Sequence, residues 1–170
     1  KHLFSDLEKL GLAPEEGDRR VFEQEVKRTT TASVKKTSEP KDLLFDRETI
    51  CPVCEYRSTN RFVKSGKIRL QHTEFDLKPV YTLLDPVMYD VVLCPNCGYA
   101  ALSRFFKAVT DEQKVLIVEK IAPHFRARKY PEIFTYPIAI ERYKLALYCA
   151  IIKRATPSEK SYIIMKLLWL

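Results

Sequence analysis

Four of the five cysteines come as two C-x-x-C pairs, Cys51-Pro52-Val53-Cys54 and Cys94-Pro95-Asn96-Cys97. Thiols at that spacing do one of two kinds of chemistry. Two pairs together supply the four soft ligands of a tetrahedral zinc or iron site, whereas one pair alone at a helix start serves as a redox dithiol. The second pair lies in "VVLCPNCGYAALSRFF", after a β-rich run. Each pair sits on a tight turn in which the next backbone N–H groups point back at the first sulfur and stabilise its thiolate. After Cys97, Gly98 accepts positive φ at little cost. The matching position after Cys54 is Glu55, which must take that conformation at a cost or distort the turn.

The pairs are separated by 39 residues, 55–93, more than the about 15–20 common between zinc-binding pairs. A β-hairpin insertion over residues 62–75 would fill the gap. The residues are therefore expected to hold one Zn2+ as a closed structural site, with Cys51, Cys54, Cys94 and Cys97 as ligands. Four thiolates leave no open position for catalysis. Iron is the less favoured metal, because tetrathiolate geometry alone does not choose between the two. A redox role is disfavoured because both pairs sit on β-turns rather than in a βαβ setting. His72, between the pairs, is not needed as a ligand, and His2 and His124 give no signal. Cys149, in an apolar helix, reads as a buried, inert thiol.

A second group of candidates lies between the cysteine pairs. Arg57, Arg61, Lys64, Lys67 and Arg69 put five basic residues in thirteen with no acid among them. They read as a solvated hairpin face beside a site carrying net negative charge. With Tyr56 and Phe62 interleaved, they also read as a track for a nucleic-acid backbone. Arg126, Arg128 and Lys129 form a second basic patch, in a loop after Pro123. Asp76, Asp85 and Asp90 stand among Tyr81 and Tyr89, but no nucleophile accompanies them at a telling spacing. Asp85 more simply caps the turn before Pro86.

Leu3, Leu7 and Leu10 have helical spacing, and a polar helix follows from Pro14 to about Val26. Lys27 to Asp42 is rich in Ser, Thr and Lys and reads as a linker or mobile arm. Residues 43–93 are strand-like, with a hairpin expected around Ser65-Gly66 and a strand at "YDVVLC". From Tyr99 onward the pattern is helical, with Tyr99, Leu102, Phe106 and Val109 on one stripe. Thr110 with Gln113 makes a capping box for a helix to about Ala122. Pro137 opens a helix to about Ala155, and Thr156-Pro157-Ser158-Glu159 is a further capping box. Leu145–Ile152 is apolar all round and needs cover on several sides, as stacked tetratricopeptide-type helices give.

The chain has 170 residues, 46% hydrophobic and 30% charged, so it is globular, and its formal charge of +7 favours anionic partners. No signal peptide is visible at "KHLFSDLEKLGL". The longest apolar run is eight residues, 145–152, well short of the about 18–20 that span a bilayer. A cytoplasmic protein without a membrane partner is expected, and both ends of the sequence read as cuts in a longer one.

"CPVC", "SGKIRL", "DLKPVY", "DPVMYDVVLCPNCGYAALSRFF" and "AIERYKLAL" resemble the bacterial domain of unknown function 2225 over about Leu43 to Leu170. "LFSDLEKLGL" is similar to that family's amino-terminal segment. The resemblance implies a zinc-ribbon-like module followed by tetratricopeptide-like helices, with its cysteine pairs falling on Cys51, Cys54, Cys94 and Cys97. It implies no catalytic residues.

The expected fold class is α+β. Residues 1–42 would form a helical segment and linker, 43–98 a zinc-ribbon-like module, and 99–170 a helical domain. The expected function is a non-enzymatic module with a structural zinc, whose helices bind a protein partner. The alternative is a nucleic-acid-binding zinc ribbon using the basic stretch 57–69. A thiol-redox or metal-dependent enzyme is the third reading. Oligomeric state is left open.

Overall fold

The cysteine turns close two antiparallel hairpins of the same design. The computed structural model describes residues 39–170. Strand β1 (Leu44–Ile50) pairs with β2 (Arg57–Val63), from Leu44 opposite Val63 to Ile50 opposite Arg57. Between β2 and the second cysteine turn lies another hairpin, β3 (Leu70–Thr73) with β4 (Pro79–Tyr81). Strand β5 (Val91–Leu93) then pairs with β6 (Ala100–Leu102), Leu93 opposite Ala100. All six residues of β5 and β6 are buried. Since neighbouring residues on a strand point to opposite faces, this hairpin is covered on both sides.

Three helices follow. Helix α1 (Asp111–Lys120) opens on the expected capping box: Thr110 accepts from the Gln113 N–H, and the Gln113 side chain accepts from the Thr110 N–H. Helix α2 (Tyr136–Ile152) carries Pro137 in its first turn, where the missing N–H costs nothing. It ends in a Schellman motif. Arg154 takes φ 54°, with Ala155 N–H bonded to the Ala150 carbonyl and Arg154 N–H to that of Ile151. Helix α3 (Pro157–Leu168) is capped by Thr156, which accepts from the Glu159 N–H. Only that half of the expected box forms, because the Glu159 carboxylate turns to Lys153 instead. The described residues are thus an α+β unit of small antiparallel sheets and helices.

The cysteine turns and the helices share one core. Cys51, Cys94 and Cys97 belong to the same apolar cluster as Tyr99, Leu102, Ile117, Tyr143, Ala146, Cys149 and Ile163. Ala100 and Ala101 on β6 and Ala146, Cys149 and Ala150 on α2 are small, which lets helix and hairpin approach closely. A second cluster gathers Leu43, Leu44, Leu84, Met88, Tyr89, Phe134 and Ala139.

Three expectations need correction. The helix expected from Tyr99 does not start there. Ala100–Leu102 is a strand, because the cysteine turn returns the chain alongside β5 and pairing overrides the helical preference of alanine. No hairpin forms around Ser65-Gly66. The Cys51 turn has already supplied β1 as the partner of β2, and Gly66 lacks the positive φ that a tight hairpin turn needs. The insertion between the cysteine pairs is the β3–β4 hairpin, spanning Leu70–Tyr81 rather than residues 62–75. The helices and most of the linker expected before residue 39 lie outside the described residues. The last linker residues enter a 310 turn, Pro40–Leu43, that buries Leu43.

Candidate metal centre

Each cysteine turn is built by the same pair of backbone hydrogen bonds. In the first, Cys51 N–H donates to the Tyr56 carbonyl (3.0 Å) and Glu55 N–H to the Cys51 carbonyl (2.9 Å). In the second, Cys94 N–H donates to the Tyr99 carbonyl (2.9 Å) and Gly98 N–H to the Cys94 carbonyl (3.0 Å). The residue after each second cysteine is left-handed, Glu55 at φ 58° and Gly98 at φ 74°. Backbone N–H groups of Val53 and Cys54 face the Cys51 sulfur, and those of Asn96 and Cys97 face the Cys94 sulfur. These donors favour thiolates.

The four sulfurs converge. All lie within 4.8 Å of one another. Two close approaches run between the turns, Cys51 to Cys97 at 3.7 Å and Cys54 to Cys94 at 3.6 Å. A tetrahedral ion with Zn–S near 2.3 Å places its sulfurs about 3.8 Å apart, so these spacings fit such an ion. The sulfurs also press on one another's titration. Hydrogen bonds from Cys51 and Cys97 pull the Cys94 thiol far below its ordinary value. The bond with Cys94 pushes Cys51 up to about 12, and bonds with Cys51 and Cys94 push Cys97 higher still. Four thiolates this close together repel one another and require a cation among them. The four cysteines can hold a metal ion, and nothing in the geometry selects zinc over iron.

The surroundings hold the turns in place. Asn60, buried on β2, donates to Thr49 Oγ1 (2.7 Å) and accepts from the Leu93 N–H (3.2 Å), tying the first hairpin to the second just before Cys94. The Asn96 amide approaches Cys54 Sγ at 3.5 Å. Behind the second turn, Cys149 Sγ donates to the Gly98 carbonyl (3.6 Å) and accepts from the Ala100 N–H (3.4 Å). Cys149 is a buried thiol, as expected, and burial pushes it up to about 11.

The other candidates are dispersed. Arg61 is held bidentate by Asp46 (2.7 and 2.9 Å) and also donates to the Glu132 carbonyl. Arg57 faces Glu48 at 3.8 Å, and Lys64 donates to the Asp42 carbonyl. Lys67 and Arg69 are exposed in the segment that leads to β3. Arg128 pairs with Glu141 at 2.6 Å, while Arg126 and Lys129 are partly or fully exposed. Asp85 caps the 310 turn Pro86–Tyr89 by accepting from the Val87 N–H. Asp76 accepts from the Lys78 N–H, and Asp90 is bound by Ser103 and Lys166. His72 is exposed on β3, outside the sulfur cluster.

Sequence reasoning passed over the burial of four polar residues. Asn60 sits among strand formers, where only its polarity marks it. Lys153 and Glu159 form a buried ion pair at 2.8 Å, with Lys153 Nζ also 3.4 Å from the Tyr99 hydroxyl. Arg142 lies inside the helix, bonded to the Val91 carbonyl at 2.6 Å.

A family model described as "Uncharacterized protein conserved in bacteria (DUF2225)" matches residues 44–170, well over half of the chain. Among curated proteins and solved structures, nothing matches.

Proposed function

We propose, for a chain that belongs to the DUF2225 family, a non-enzymatic interaction module in which one structural zinc ion joins a zinc-ribbon-like pair of hairpins to tetratricopeptide-like helices. The observation that carries this reading is the convergence of four sulfurs from two identically bonded turns. Four thiolates complete a tetrahedral shell and leave no place for a substrate, so the ion's role is to hold the fold. Each pair finds the other pair's sulfurs close by, Cys51 by Cys97 and Cys54 by Cys94, which favours one shared ion over an isolated redox dithiol. A reducing compartment keeps such thiols available for metal, which supports a cytoplasmic location. No helix among the described residues is long and apolar enough to cross a membrane.

The partner-binding part rests on the helices. Tyr148 and Ile151 on α2 remain 51% and 55% exposed, and Ile164 and Leu168 on α3 44% and 80%. Residues three or four apart share a helix face, so each helix keeps an apolar face open to another protein. The nucleic-acid reading has less support, because Arg57, Arg61 and Lys64 are already engaged by Glu48, Asp46 and the Asp42 carbonyl.

Metal analysis and X-ray absorption test the zinc. About one zinc per chain with four sulfurs near 2.3 Å is expected, and a chelator should lower the melting temperature. Metal-free protein with a reducible Cys94–Cys97 bond would refute it. For the partner, Tyr148→Asp with Ile151→Asp should abolish recovery of a co-purifying protein while zinc content and melting temperature hold. Unchanged recovery would move the interface elsewhere.

A further inference from the structure

Arg142 is 5% exposed, and no carboxylate among the described residues pairs with it. Its Nη2 is spent on the Val91 carbonyl, and its Nε has no acceptor. The guanidinium lies 5.1 Å from the ring centre of Tyr130 and 4.8 Å from that of Phe134. It lines a cavity of about 360 Å³ beside the second cysteine turn, where Pro95 forms part of the wall. Burying an unpaired charge is costly, and burial here pulls Arg142 down to about 10, which still leaves it cationic at neutral pH.

The charges around the cavity otherwise cancel. Arg61 is matched by Asp46, Arg128 by Glu141, and Glu132 by Lys41. One positive charge, that of Arg142, is left over. The remaining wall includes the rings of Phe125 and Tyr130. A cavity of this size, with apolar rings beside one charge that has no partner, has the form of a small-molecule site.

We infer that this cavity binds a small organic monocarboxylate with a flat apolar body, the carboxylate seated on Arg142 and the body against Phe125 and Tyr130. A carboxylate is planar and matches the guanidinium edge. It supplies the single negative charge that is missing. A phosphate dianion would bring a second one close to Asp46 and Glu132.

The test uses the full chain labelled with 15N and follows arginine Nε–Hε signals while sodium benzoate is added. Benzamide serves as the neutral isostere and phenyl phosphate as the dianion. The Arg142 signal, assigned by its disappearance in Arg142→Lys, should shift saturably with benzoate, and both analogues should bind at least about tenfold more weakly. Arg142→Gln should weaken benzoate binding by a similar factor. If that variant does not fold, the titration of the unaltered chain still decides. Absence of a saturable shift at Arg142, or benzamide binding as well as benzoate, overturns the site. Phenyl phosphate binding as tightly as benzoate overturns its assignment to carboxylates.

Discussion

Gly98 and Phe125 occupy adjoining space at the end of the second cysteine turn: a Cβ built on Gly98 would lie 2.4 Å from Phe125 Cγ. Gly98 also has φ 74°. Gly98→Ala therefore meets two penalties, about 1–2 kcal/mol for the left-handed backbone and about 1–3 kcal/mol for the forced contact. A double-mutant cycle with Phe125→Ala, read by thermal denaturation, should recover the part of the contact made by the ring; the contact with the Phe125 Cβ at 2.8 Å and the backbone part remain. Strict additivity of the two substitutions would show that the ring simply moves aside.

The first turn carries the opposite test. Glu55 stands at φ 58° without the freedom of glycine. Glu55→Gly should stabilise the protein by about 1 kcal/mol, raising the melting temperature by about 2–4 °C for a chain of this size. A lowered melting temperature would mean that the Glu55 side chain does more for the turn than its backbone costs.

The Lys153–Glu159 pair is buried, with side chains 1% and 8% exposed. Glu159→Ala leaves Lys153 charged in the core and should cost about 3–5 kcal/mol. Changing both, Lys153→Met with Glu159→Met, should cost clearly less than the single change, because no orphaned charge remains. Denaturant unfolding of the two variants and of the unaltered chain makes the comparison. Equal losses for single and double variants would contradict it.

Cys149 gives a pH dependence. Burial raises its thiol from 9.0 to about 11, so the folded chain holds this proton more tightly than the unfolded one. The associated stability is complete below pH 9.0 and is lost as pH rises through about 11. Cys149→Ala should flatten that alkaline slope. At neutral pH, peptide mapping after iodoacetamide treatment should find Cys149 unmodified until the protein is denatured. Labelling at the denatured rate would place the thiol at the surface.

Much of the candidate metal centre could be read from the residues because its geometry is local. A C-x-x-C turn needs a left-handed residue after its second cysteine whatever surrounds it, so the positions of Gly98 and Glu55 follow from spacing. The Thr110–Gln113 capping box is equally local and formed as expected. The Thr156 box is instructive in a different way. Its sequence signature is complete, yet Glu159 left it for Lys153, since a lysine buried by the Schellman turn gains more from a carboxylate than a backbone N–H does.

The four cysteines that converge, the two turns that present them and the starts of the three helices were legible in the chain alone, all set by interactions within a few residues. Contacts between distant segments made Ala100–Leu102 a strand, paired β2 back to β1, and buried Arg142 without a counter-charge. Those outcomes depend on which surfaces meet. Long-range pairing overrides a weak local preference such as that of alanine for helix, and a charge acquires its environment only when distant segments close over it.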